Sequence, residues 1–128
     1  MPHPYFTHAA LGISLLPAVF GLNALFRPTA ALRSVDFPVP AAGDVQGTKL
    51  ASSLMRIYGA RNLAVSYLLI LVWRAGNPRW TGLALLAGGW MAFVDGLVSK
   101  DLTGGGEWNH WSFFPIIGGV VGGLFDLF

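Results

Sequence analysis

Eighteen consecutive residues, Ala9 to Phe26, carry no ionisable side chain. At about 1.5 Å per residue, a helix of that length nearly covers a hydrocarbon core of about 30 Å. Within such a core a helix satisfies its own backbone, which an irregular open chain does not. Three further apolar stretches follow, about Lys49 to Trp73, about Arg79 to Val98, and Trp108 to the C-terminus. They are separated by strong breaks: Arg27-Pro28, Gly76-Asn77-Pro78 and Gly104-Gly105-Gly106. Proline disfavours helical geometry in the residue before it, so the first helix is expected to stop at Arg27. Pro17 is expected to kink that helix, which neighbouring helices tolerate. The segment from Pro28 to Thr48 reads as an interfacial loop with a short amphipathic turn over Thr29 to Val35. Short connections then predict one domain over residues 1–128, an all-α integral-membrane four-helix bundle running up-down-up-down.

Composition agrees. The chain is 54% hydrophobic and 11% charged, against about a quarter charged in soluble domains. Its net charge of +2 comes from scattered loop and helix-end residues. With no basic run, and with aromatics confined to apolar stretches, nucleic acid is not an expected partner. There is no cysteine, which excludes disulfides, thiolate metal sites and cysteine nucleophiles. The N-terminal stretch lacks a basic n-region and a small-x-small cleavage pattern, so a retained helix is expected rather than a signal peptide. No lipidation motif is present. Arg27, Arg33, Lys49 and Lys100 on one side outnumber Arg74 and Arg79 on the other, which favours a cytosolic position for the first side.

That side also collects the polar residues. In a four-helix reading Arg56 and Arg61 lie early in the second helix, Asp95 late in the third, and Trp108, Asn109 and His110 at the start of the fourth. Tyr58, Arg61 and Asn62 stand at i, i+3 and i+4 and share one helix face. Arg56 is about 140° from Arg61 around a helix of 3.6 residues per turn. Arg61 is therefore the expected site residue, and Arg56 can extend to lipid headgroups instead. Intramembrane ionisable groups commonly mark function. An isolated carboxylate in apolar surroundings pairs with a cation or takes up a proton, so Asp95 is expected to meet Arg61. The plain structural alternative is a buried pair that only locks two helices together. His110, between two tryptophans, has an equally plain reading as an interfacial anchor.

Gly118, Gly119, Gly122 and Gly123 form two overlapping GxxxG patterns. These permit close helix approach, either within the chain or at a homodimer seam. His3 and His8 are isolated, and His110, Asp95 and Glu107 lack a metal-ligand spacing such as HxxxH. Neither a metal nor a cofactor is expected.

The run Met55-Arg-Ile-Tyr-Gly-Ala-Arg-Asn62, together with Phe93-Val94-Asp95-Gly96 and Asn109-His110-Trp111, resembles a family of small four-helix fungal integral-membrane proteins. The resemblance extends from about Leu11 onward. Within that group the chain is similar to membrane epoxide hydrolases and cyclases of citreoviridin- and aurovertin-type polyketide pathways. It implies a multi-pass protein, expected in the endoplasmic reticulum, that acts on a lipophilic polyketide or terpenoid among membrane lipids. By position, the matching residues are Arg56, Gly59, Arg61, Asn62, Asp95 and His110. The residue inventory suits epoxide opening. Asp95 would be base or nucleophile, Arg61 would orient it or stabilise negative charge, and Tyr58 or His110 would protonate the alkoxide. Arg56, Asn62, Asn109 and Trp108 would contact substrate. An acid–base isomerase or cyclase would use the same groups, and a non-catalytic scaffold or lipid-binding protein would use none of them.

Overall fold

The computed structural model describes residues 2–128. It is all-α, with α1 over Pro4–Phe26, α2 over Pro28–Ser34, α3 over Val45–Arg74, α4 over Pro78–Thr103, α5 over Trp108–Trp111 and α6 over Phe114–Leu124. Three of these, α1, α3 and α4, are long and apolar enough to cross a membrane.

Caps explain why each long helix outruns its apolar core. The His3 side chain accepts from the Tyr5 amide at 3.2 Å and Pro4 occupies the first turn, so α1 starts before Ala9. Asp44 accepts from the Gly47 amide at 2.7 Å, so α3 begins at Val45 rather than Lys49. Asn77 caps α4 through the Trp80 amide, with Pro78 behind it. Such caps satisfy amides that have no partner within the helix. Helix α4 continues past Val98 and stops only at Gly104, whose left-handed backbone (φ 73°) suits glycine. The expected turn after Arg27 is the seven-residue α2.

The fourth stretch differs from expectation. It is divided into the one-turn α5 and the 11-residue α6, and α6 is only about 16 Å long. Pro115 accounts for the division, because it has no N–H to return to the Trp111 carbonyl.

Helix α1 packs most extensively on α3. The two cross where Gly21 faces Gly59: a Cβ on Gly59 would lie 2.7 Å from the Gly21 carbonyl oxygen, and one on Gly21 would lie 2.8 Å from that of Gly59. The glycine of the Arg56–Asn62 run is therefore a point of backbone contact. Further along, the Ser66 hydroxyl donates to the Ser14 carbonyl at 2.5 Å, and the Trp73 indole donates to the Thr7 carbonyl at 2.9 Å. The start of α1 thus lies beside the end of α3. An apolar core of Ala10, Leu69, Leu85, Val120, Val121 and Leu124 joins all four main helices.

The glycines of α6 divide in two. Gly122 and Gly123 are covered within the chain by the rings of Phe128 and Phe6, whereas a Cβ on Gly118 or Gly119 would meet nothing.

Gly59→Ala is expected to weaken the fold by about 1–3 kcal/mol, the usual range for overpacking, in unfolding by SDS from mixed micelles. Gly12→Ala, at a position with open space around it, is expected not to weaken it.

Candidate functional site

Between α1, α3, α4 and α6 lies a cavity of about 210 Å³. Most of its wall is apolar, with Ile13, Val65, Leu85, Ala92 and Ile117 among the contributors. Gly88 and Gly89 of α4 keep the space open: a Cβ there would meet its nearest neighbours only at 3.8 and 4.0 Å. One end is polar, formed by Tyr58 and Asn62 from α3, Asp95 from α4, and Asn109 and His110 from α5. The walls include Leu16, Phe20 and Ile116, which are also exposed on the outer apolar surface. The cavity therefore communicates sideways with the surroundings of the helices, past the edge-on contact of Phe20 with Phe113.

Two glycines set the geometry of the polar end. Gly59 brings α3 against α1 two residues before Arg61. Gly96 receives the Trp111 indole, which any Cβ at that position would displace. The Trp111 N–H donates to the Phe93 carbonyl at 3.2 Å, and its ring stacks on Phe93 at 5.7 Å. This contact presses α5 onto the last turns of α4. It brings His110, 9% exposed, to the fully buried Ser99, with Oγ and Nε2 2.9 Å apart. At the outer edge Asn109 donates to Asp36 at 3.0 Å, tying the loop after α2 to α5.

Arg61 and Asp95 pair at 2.7 Å, with side-chain exposures of 39% and 17%. The guanidinium also lies over the Tyr58 ring, 4.8 Å from its centre, within range of a cation–π attraction. Its Nε is buried with no hydrogen-bond partner among the described residues. Arg61 lies outside the cavity wall, so it acts on the cavity through Asp95 and Tyr58. Asp95 thus lines the apolar space while its partner Arg61 does not. His110, in α5 beyond the three long helices, has a pKa lowered chiefly by burial, with Asp95 opposing the shift and Arg61 adding to it. Burial thus favours the neutral form of its imidazole.

Not every expected residue is brought in. Arg56 and Trp108 are exposed and outside the wall, Arg56 because it points to another face of α3 from Arg61. Ser99, Gly88 and Gly89 are not singled out by the sequence. Ser99 is four residues after Asp95, and that i, i+4 spacing on one helix face was the available signal. Pro17 stood out only as a kink. It also removes the amide that would bond the Ile13 carbonyl, and both residues line the cavity. No group of three or more His, Asp or Glu side chains able to hold a metal ion occurs among the described residues.

Residues 14–124 match a family described as a domain of unknown function, DUF4267, and the chain belongs to that family. No curated protein and no solved structure matches it.

A double-mutant cycle with Arg61→Gln and Asp95→Asn is expected to give a coupling energy of about 1 kcal/mol, since the arginine is partly exposed. Unfolding in mixed micelles measures it; coupling near zero would mean that the pair does not hold α3 to α4.

Proposed function

We propose that this DUF4267 protein is a cofactor-independent, multi-pass membrane enzyme that opens an epoxide on a lipophilic polyketide or terpenoid, by hydrolysis or cyclisation. The observation that carries the reading is the cavity: an apolar chamber, reached from the side, whose polar end combines a paired carboxylate, a phenol and a neutral imidazole. A lipophilic substrate partitions into the bilayer and reaches such a chamber between α1 and α6. Helices α1, α3 and α4 would cross the membrane, with α5 at the interface and α6 as the fourth, shorter member of an up-down-up-down bundle. The resemblance of the Arg56–Asn62 and Phe93–Gly96 runs supports a setting in fungal secondary metabolism at the endoplasmic reticulum. A homodimer seam, in this reading, is limited to Gly118 and Gly119.

In the proposed reaction, Asp95 takes a proton from water, or from a hydroxyl of the substrate. The oxygen so activated attacks one epoxide carbon while the carbon–oxygen bond breaks. Tyr58 gives its proton to the alkoxide, and protonated Asp95 then returns a proton to the phenolate. The balance is addition of water, or of the internal hydroxyl, across the ring. Arg61 keeps Asp95 oriented without contacting substrate. An ester route through Asp95 would need a second base to activate the hydrolytic water. His110 is the available group, and its Nε2 is already engaged by Ser99, so direct activation of water is the favoured route. General acid–base catalysis of this kind supplies typically about 10²–10⁴-fold.

The test is conversion of a polyene epoxide by purified protein in detergent. Asp95→Asn is expected to lower the rate at least about 10²-fold while the protein remains folded by circular dichroism. Equal rates would remove Asp95 from the chemistry. Rearrangement without uptake of water or hydroxyl would favour the acid–base isomerase. Product from neither protein would favour a lipid-binding or scaffold role.

A second expectation concerns the chamber itself. Gly89→Leu, which adds a side chain to the wall at an uncrowded position, is expected to abolish conversion without lowering resistance to unfolding. Unchanged turnover would put the substrate elsewhere.

A further inference from the structure

Three helical hydroxyls donate to the carbonyl four residues earlier, whereas buried Ser66 reaches across to the Ser14 carbonyl of another helix. Ser14 donates to Ala10, Thr81 to Asn77 and Thr103 to Ser99, at 2.7, 3.0 and 2.8 Å. This local bond is the ordinary destination of a helical hydroxyl. Ser99 makes no such bond to Asp95. Its hydroxyl has a single side-chain partner, the Nε2 of His110 at 2.9 Å. The residue is fully buried, so its proton has no access to solvent.

A serine hydroxyl carries one proton and accepts through its lone pairs, whereas a neutral imidazole has one N–H and one bare nitrogen. If Nε2 held the proton, the Ser99 hydroxyl would accept it and its own proton would be buried without an acceptor, at a cost of about 1–3 kcal/mol. With the proton on Nδ1, Ser99 donates to bare Nε2 and the buried hydroxyl is satisfied. In histidine generally, the bond made by one ring nitrogen fixes the state of the other. Nδ1 itself has no partner within the chain among the described residues, and His110 lines the polar end of the cavity beside Asp95 and Asn109.

We propose that Ser99 is a positioning residue that locks His110 in its Nδ1–H tautomer, so that the cavity presents a neutral N–H donor to an uncharged oxygen of an apolar ligand. The ligand class is an ether, epoxide or carbonyl carried on a lipophilic chain. The donor binds and polarises that oxygen and transfers no proton, since loss of Nδ1–H would leave an imidazolate. Under the epoxide-opening reading, on which only this assignment of the bound oxygen to the reacting ring rests, His110 stabilises the oxygen as its bond to carbon breaks, and Tyr58 remains the proton source. A preorganised neutral donor of this kind needs no reorganisation as charge develops.

The experiment uses the full-length protein labelled with 15N-histidine in detergent micelles, with the His110 signals assigned by their loss in His110→Gln. The probe is a long-chain alkyl oxetane, a cyclic ether that mimics the epoxide oxygen. The expected spectrum has Nδ1 protonated and Nε2 bare, with the Nδ1–H resonance shifted by the oxetane. In Ser99→Ala the ring is expected to move toward the Nε2–H form that predominates in free histidine, and Ser99→Thr should keep the Nδ1–H form. Nε2–H in the wild type overturns the proposal, and that spectrum requires no variant to fold. Addition of oxetane that leaves Nδ1–H unmoved also overturns it. The expected spectra from a protein that converts no epoxide would uphold the tautomer lock and remove the hydrolase reading alone.

Discussion

Polar groups in the long helices of this chain have almost nowhere to turn but to each other. In apolar surroundings an unpaired N–H, hydroxyl or charge costs more than any single packing contact returns, and the fold is arranged around that requirement. Ser66 reaches the Ser14 carbonyl, Trp73 reaches Thr7, Arg61 reaches Asp95 and Ser99 reaches His110. Each bond joins two different elements, so satisfying the polar groups also fixes how the helices sit. Glycines make the distances possible. Gly21 and Gly59 let two backbones touch, and Gly96 admits an indole.

The same contacts make the cavity. Helices α1 and α3 are drawn together at Gly21 and Gly59, α4 is held by the ion pair, and Trp111 carries α5 onto α4 while Pro115 releases the chain from one continuous helix. What remains between them is a space with small residues on one wall and polar side chains at one end. The ion pair alone would be consistent with a helix lock. Its position at the end of an open apolar chamber, with the arginine outside and the carboxylate inside, is what favours chemistry.

The sequence conveyed some of this well. Long apolar runs, broken by Arg27-Pro28, Gly76-Asn77-Pro78 and the Gly104 turn, mark the helices. Helical spacing separated Arg61 from Arg56 and joined it to Tyr58 and Asn62, and the shared membrane side led from Arg61 to Asp95. The division of the fourth stretch was less legible, since Pro115 sits in an otherwise unbroken apolar run. The role of Ser99 depends on α5 folding back over Gly96, a tertiary contact that no local pattern announces. The cavity is likewise a property of packing: no local pattern shows that a Cβ on Gly88 or Gly89 would meet side chains only at 3.8 and 4.0 Å.

The central claim is that Asp95 activates water inside this chamber, and a single-turnover reaction in 18O-labelled water tests it most directly. With protein in excess over a long-chain epoxide, the account predicts diol carrying one 18O from the first turnover and no label in the protein. Unlabelled diol with 18O retained on the Asp95 peptide would show that the carboxylate attacks carbon. The absence of any diol would contradict hydrolysis altogether.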